Sequence, residues 1–353
     1  MARRKSATGW ARLVARGMRT MTQLALRPAK PARVKPGRQR AARLAEPLRG
    51  TRPKPRGAGD WLAGVALGPT GARRYRLYRP PQPQAGEQLP LLVMLHGCGQ
   101  DADSFASSTR MNAIAARERF LVLYPVQDRL ANAHGCWNWF ETRSGRAQGE
   151  DALIMAAIDQ VCALYRADRA RVAICGLSAG ASMAALVASR HPDRFKAIVM
   201  HSGVPPGVAQ SSASAVAAMR GHRVGAQALV ASALAHAASL PPLLAIHGAG
   251  DHIVAPSNSR HAVLAWALAG SALAPGGGGV PAARATAGRH VQRGRRHAMR
   301  VVDFQRRGLN AVSLVEIERL GHAWSGGASG QPFSDAAGPD ASRMTWAFVK
   351  KHL

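Results

Sequence analysis

The stretch Arg171-Val-Ala-Ile-Cys175-Gly176-Leu-Ser178-Ala-Gly180, followed by Ala181-Ser-Met-Ala-Ala-Leu-Val-Ala-Ser-Arg190, decides the fold. A short apolar run with a β-branched residue reads as a buried strand, and the alanine-rich run after it reads as a helix. Between them stands Gly-x-Ser-x-Gly. A turn this tight leaves no room for side chains beside the serine, so the flanking positions call for glycine and the hydroxyl is pushed out above the sheet. The helix amino terminus then lies beneath any negative charge that develops there. In a chain with 36 Gly the pentapeptide alone is a weak signal, and its strand-before, helix-after setting carries the reading.

The pattern repeats outward from this point. Tyr75 to Tyr78, Pro90 to Leu95, Phe120 to Tyr124, Ala197 to His201, Leu243 to His247 and Val312 to Ile317 read as further strands. Phe105 to Arg117, Glu150 to Tyr165, Ser259 to Leu268 and Ser342 to Lys351 carry helical spacing. Strands alternating with helices predict an α/β domain over residues 60–353, a mostly parallel sheet covered by helices on both faces. Such sheets put their chemistry at the carboxyl ends of the strands.

Composition bounds the alternatives. The 353 residues are 47% hydrophobic and 5% aromatic with four Cys, which excludes a disulfide-built miniprotein and permits one large core. No uncharged apolar run reaches the ~18 residues of a membrane span. The formal charge of +29 is concentrated at one end: residues 1–60 hold 17 Lys and Arg against Glu46 and Asp60. Residues 1–56, rich in Arg, Pro and Ala, are expected to be a disordered basic extension. Within it Trp10, Leu13, Val14, Met18, Met21 and Leu24 recur at helical spacing, a short amphipathic pattern suited to an anionic surface or membrane. The arginines interrupt any signal-peptide apolar core. The core has no aromatic-interleaved basic patch, so no specific nucleic-acid partner is expected. A second basic, glycine-rich stretch, residues 274–300, reads as a flexible insertion.

A serine nucleophile needs a base within hydrogen-bond reach and a carboxylate to orient it. After Pro242-Leu-Leu-Ala-Ile246 comes His247-Gly-Ala-Gly-Asp251, and after Leu320 comes Gly321-His322-Ala-Trp324-Ser-Gly-Gly327. Both follow strands, in the order acid then histidine, so Ser178, Asp251 and His322 are the expected triad. The backbone N–H groups of Ala179 and of Cys98, in the loop Leu95-His96-Gly-Cys-Gly-Gln100, are the expected oxyanion donors. Trp137, Trp139 and Trp324 fall in the motif loops and are expected to form an apolar substrate wall. Cys98, Cys136, Cys162 and Cys175 allow three full pairings. Cys98 and Cys136 both lie near the site, where a bridge would stiffen the oxyanion loop in an oxidising compartment, while the alternative leaves them reduced. His and Cys spacing predicts no metal.

Together His96-Gly-Cys-Gly-Gln100, Cys136-Trp-Asn-Trp-Phe140, Gly176-Leu-Ser-Ala-Gly180, His201-Ser-Gly203, His247-Gly-Ala-Gly-Asp251 and His322-Ala-Trp-Ser-Gly-Gly327 resemble the polyhydroxybutyrate depolymerase family of α/β-hydrolase esterases. That family also contains feruloyl and acetylxylan esterases. The resemblance runs collinearly over about residues 60–353. It implies an α/β-hydrolase fold and cofactor-free serine-esterase chemistry on short-chain polyhydroxyalkanoates or their oligomers. The alternative within the same chemistry is a feruloyl or acetylxylan esterase acting on plant cell-wall esters. A remote alternative is a non-catalytic polyanion- or membrane-binding protein that uses the basic tail. The family implies an extracellular location. The absence of a recognisable signal peptide implies a cytoplasmic one instead. No polymer-adsorbing domain is expected after His322.

Overall fold

The computed structural model describes residues 57–82, 84, 86–222, 240–272, 284–306 and 309–353, all within one compact unit, Lys54–Leu353. The basic extension over 1–56, with its amphipathic pattern, lies outside the described residues, as do residues 274–283 of the second basic stretch.

Strand β5 (Ala167–Leu177) is the axis of the sheet, and alternation along it serves two cores at once. Val172 and Ile174 point into one hydrophobic cluster, and Ala173, Cys175 and Leu177 into the other. Period-2 side-chain alternation with both faces buried is what a parallel central strand requires. The same division holds in β3 (Leu89–Leu95), β6 (Ala197–His201) and β7 (Leu243–Gly248). With β1 (Asp60–Gly68), β2 (Gly71–Arg79), β4 (Leu121–Pro125), β8 (Arg284–Ala285), β9 (Arg289–Val291), β10 (Met299–Arg306) and β11 (Leu309–Ile317), the described residues form an eleven-stranded sheet. Its order is β1-β2-β4-β3-β5-β6-β7-β11-β10-β8, with β9 also on β10. The run from β4 to β11 is parallel throughout, and both flanks are antiparallel.

Helices cover both faces. One core is packed by α3 (Arg146–Leu164), α4 (Ala179–Arg190) and α6 (Ser257–Ala272). The other is packed by α1 (Ala102–Thr109), α2 (Met111–Glu118) and α7 (Ala341–Val349). A short helix, α5 (Ser212–Met219), sits between β6 and β7 in sequence.

Several boundaries differ from the sequence reading. The single helix expected over Phe105 to Arg117 is two helices, because Arg110 adopts a left-handed conformation (φ 56°) and its N–H closes α1 on the Ala106 carbonyl. Edge strand β1, strands β8, β9 and β10, and helix α5 are not among the elements read from the sequence. Within the stretch read as a flexible insertion, residues 284–300 contain β8, β9 and the start of β10, hydrogen-bonded along the sheet edge.

Candidate active site

Ser178 stands between β5 and α4 with φ 57° and ψ −122°, a conformation L-residues hold only when their surroundings enforce it. Its N–H donates to the His201 carbonyl at the end of the neighbouring strand β6, at 2.9 Å. The flanking glycines are a matter of space. A Cβ on Gly176 would lie 2.3 Å from the Gly180 carbonyl carbon, and one on Gly180 would lie 2.2 Å from the Leu95 carbonyl oxygen. Strand β5, the turn and the end of β3 therefore touch backbone to backbone.

His322 and Asp251 come from loops after β11 and β7, adjacent parallel strands whose ends open on the same side. The two loops are zipped together: the Ala249 N–H donates to the Ile317 carbonyl and the Gly250 N–H to that of Leu320, at 2.8 and 2.9 Å. A Cβ on Gly248 would meet the Leu320 oxygen at 2.2 Å, so this close approach also depends on glycine. The His322 Nε2 lies 2.9 Å from the Ser178 Oγ, and its Nδ1 lies 2.7 Å from the Asp251 Oδ2. A carboxylate only accepts, so Nδ1 carries the proton and Nε2 is free to accept from the serine hydroxyl.

Asp251 is 3% exposed, and its Oδ1 accepts the N–H groups of Ile253 and Val254, each at 2.9 Å. Burial by itself raises its pKa, yet hydrogen bonds from His247 and His322 outweigh that and hold it below the usual carboxylate range. The arrangement can accept a proton from Ser178 onto an imidazole and stabilise the resulting cation.

The loop over residues 95–100 is anchored independently. Gly97 lies against Ser178, since a Cβ there would sit 3.6 Å from the Ser178 Cβ. Its N–H donates to the Gln100 Oε1 at 3.0 Å, while the Gly99 N–H reaches the His134 carbonyl at 3.0 Å. Among the described residues the Cys98 N–H has no acceptor, and Ala179 opens α4, where the first N–H groups lie outside the helix's own ladder. Cys98 is bridged to Cys136, with the two Cα atoms 4.3 Å apart, and Cys162 and Cys175 are free and buried.

The Cys136–Phe140 loop is in turn held by a buried polar network. The Glu150 carboxylate accepts the Asn138 backbone and side-chain N–H groups at 2.9 and 2.6 Å and the Gln127 amide at 2.5 Å. The Arg73 guanidinium donates to the Gln127 Oε1 and lies over the Trp137 ring at 5.2 Å. His96 closes the assembly: its Nε2 accepts the Gln127 N–H at 3.1 Å and its Nδ1 faces the Gly97 carbonyl at 2.9 Å. Burial lowers its pKa to about 4, so the ring is neutral, as an acceptor must be.

The aromatic wall is corrected by burial. Trp137 and Trp324 are 0% exposed and Trp139 is 7% exposed. The Trp137 indole donates to the His96 carbonyl and that of Trp324 to the Ser342 Oγ, both at 3.0 Å. The Trp137 and Trp324 rings brace the motif loops, their N–H groups satisfied inside the protein. His134 and His252 are exposed at the rim. His201 is buried: its Nε2 accepts the Ser325 N–H at 3.2 Å and its ring stacks on Trp324.

Sequence reasoning missed Arg73, Gln127, Asn138 and Glu150, and the position of His247 against Asp251. Asn138 and His247 lie inside quoted motifs, whereas the other three carry no local signal. Among the described residues no group of three or more His, Cys, Asp or Glu is arranged to hold a metal, and no helix is long and apolar enough to cross a membrane.

Residues 73–283, more than half of the chain, match the family model described as esterase PHB depolymerase. The chain is 33% identical over 180 residues to poly(3-hydroxyalkanoate) depolymerase C of Paucimonas lemoignei, covering 49% of this chain and 43% of that protein. It is 34% identical over 149 residues to feruloyl esterase B of Neurospora crassa, covering 42% and 49% respectively. The chain thus spans about half the length of the curated relatives it matches. Among solved structures, the acetyl xylan esterase from Aspergillus awamori superposes with a TM-score of 0.60 at 17% identity, over 82% of this chain and 100% of that one. The expected α/β-hydrolase fold is therefore the fold observed, and by its sequence match the chain belongs to the esterase PHB depolymerase family.

Proposed function

We propose that the protein is a serine esterase that cleaves ester bonds of short-chain polyhydroxyalkanoate, poly-3-hydroxybutyrate above all, or of its oligomers. The observation that carries the serine-hydrolase chemistry is the unbroken chain Ser178–His322–Asp251, at 2.9 and 2.7 Å, beside N–H groups suited to an oxyanion, and the 33% identity to depolymerase C supports the polyester substrate. Ser178 Oγ attacks the ester carbonyl carbon as its proton passes to the His322 Nε2, and Asp251 stabilises the imidazolium. The Cys98 and Ala179 N–H groups receive the charge on the carbonyl oxygen. Collapse expels the alcohol, which takes the proton back from His322, and leaves an acyl group on Ser178. Water then attacks that acyl-enzyme by the same route in reverse, releasing the acid and restoring the serine.

A second reading, a feruloyl or acetylxylan esterase, is favoured by the 34% identity to feruloyl esterase B, which matches the depolymerase in strength over a shorter span. Hydrolysis of a 3-hydroxybutyrate oligomer, methyl ferulate and p-nitrophenyl acetate, measured in parallel on the wild type and on Ser178→Ala, separates the two. Preference for the oligomer supports the first reading, and preference for methyl ferulate replaces it with the second. Activity on none of the three rejects both.

A further inference from the structure

His247 lies at the end of β7, four residues before Asp251, and its side chain is fully buried. Its Nε2 stands 2.9 Å from the Val254 carbonyl oxygen and 3.2 Å from the Asp251 Oδ2. Both of these are acceptors, so Nε2 carries the ring proton and shares it between them. In the neutral ring Nδ1 then accepts, and it faces the hydroxyl of Ser259 at 2.5 Å, a buried residue in the first turn of α6. The Ser259 hydroxyl has no alternative but to donate to that nitrogen, and by doing so it fixes the tautomer from the far side of the ring.

We infer that His247, locked by Ser259, is a positioning residue for Asp251, acting through the carboxylate without touching substrate. With it, the carboxylate has four donors: the Ile253 and Val254 N–H groups on Oδ1, and His322 and His247 on Oδ2. Two donors on the oxygen that serves His322 fix the carboxylate plane, and therefore the direction in which the His322 ring is held toward Ser178. His201 is the other ionisable group that senses this cluster, and its burial keeps it neutral. The inference rests on the esterase reading above. The bland alternative is that His247 only ties β7 to the 251–259 loop.

The test compares the wild type with His247→Phe, His247→Gln, Ser259→Ala and Ser178→Ala on p-nitrophenyl acetate, with thermal melts and the low-field proton spectrum of each. His247→Phe deletes the donor, and kcat is expected to fall by about 100-fold, the scale of a misoriented catalytic group, with KM within about twofold because substrate contacts are untouched. His247→Gln restores an N–H near the Nε2 position and recovers most of kcat. Ser259→Ala removes one hydroxyl, and kcat is expected to fall roughly fivefold, the factor for about 1 kcal/mol of one neutral hydrogen bond. In His247→Phe and Ser259→Ala the proton resonance of the His322–Asp251 bond shifts or broadens. A purely structural role would lower the melting temperature and leave kcat per folded molecule and that resonance unchanged, which overturns the inference. A His247→Gln variant as slow as His247→Phe overturns it as well. If His247→Phe does not fold, Ser259→Ala decides alone. Retained activity in Ser178→Ala would instead reject the esterase reading, so the two failures are distinguishable.

Discussion

The Ser178 backbone N–H donates to the carbonyl oxygen of His201 at 2.9 Å, and the Nε2 of the same His201 accepts the N–H of Ser325, three residues beyond His322, at 3.2 Å. One buried residue thus braces both the turn that carries Ser178 and the loop that carries His322. The second bond requires a neutral imidazole, because a protonated Nε2 cannot accept. The fold therefore makes the alignment of the site depend on histidines that stay uncharged.

Acid sensitivity follows from this. Burial, aided by the neighbouring His247 and His322, lowers the His201 pKa to about 3, and burial lowers that of His96 to about 4. In the unfolded chain both return to about 6.5. Below that value the unfolded state binds protons that the folded state refuses, so stability falls as pH drops from about 6.5 toward 4 and is unaffected above it. The depressed Asp251 acts in the same sense at lower pH: its contribution is complete above the ordinary carboxylate range and is lost as pH falls into and below that range. Urea unfolding at pH 7 and pH 5 is expected to differ by about 3–4 kcal/mol from the two histidines together. Equal stabilities at the two pH values would contradict the neutral buried pair.

Gly180→Ala tests the close contact at the turn. The added methyl would sit 2.2 Å from the Leu95 carbonyl oxygen, backbone at the end of β3 facing backbone in the first turn of α4, so neither side is a side chain that can swing away. A loss of at least about 3 kcal/mol is expected, read as a lowered urea midpoint or insoluble expression. A variant with wild-type stability would mean the turn and β3 are less tightly apposed than described.

The Cys98–Cys136 bridge closes a loop with a sequence separation of 38 and ties the Cys98 N–H, the proposed oxyanion donor, to the Trp137 loop. Replacing both cysteines by serine is expected to lower stability by about 2–4 kcal/mol and kcat by roughly tenfold, with KM little changed. Steady-state kinetics and urea melts with and without reductant check this. A double variant with unaltered kcat would place the oxyanion donor elsewhere.

Much of this was legible because the chemistry imposes residue types that tolerate no substitute. Gly176 and Gly180 have no space for a side chain, and the parallel strands β5, β7 and β11 deliver Ser178, Asp251 and His322 to one edge of the sheet. What stayed hidden was long-range or stereochemically unmarked. Arg73, Gln127 and Glu150 are unremarkable polar residues until the fold buries them together. Nothing at Arg110 announces a left-handed residue between two helices. Strand β1 lies at a sheet edge with Val65 and Leu67 exposed and Ala66 buried, so these larger apolar residues mark the outer face and the alternation points the wrong way. The scarcity of aromatics made Trp137 and Trp324 look like a substrate wall, whereas their indole N–H groups are satisfied inside the protein.

The most direct test of the central claim is covalent labelling with an aryl organophosphonate followed by peptide mapping. The account predicts one phosphonyl group per chain, located on Ser178, absent in Ser178→Ala and slowed by a factor of at least about 100 in His322→Ala. Labelling at another residue, or an unchanged labelling rate in His322→Ala, would contradict it.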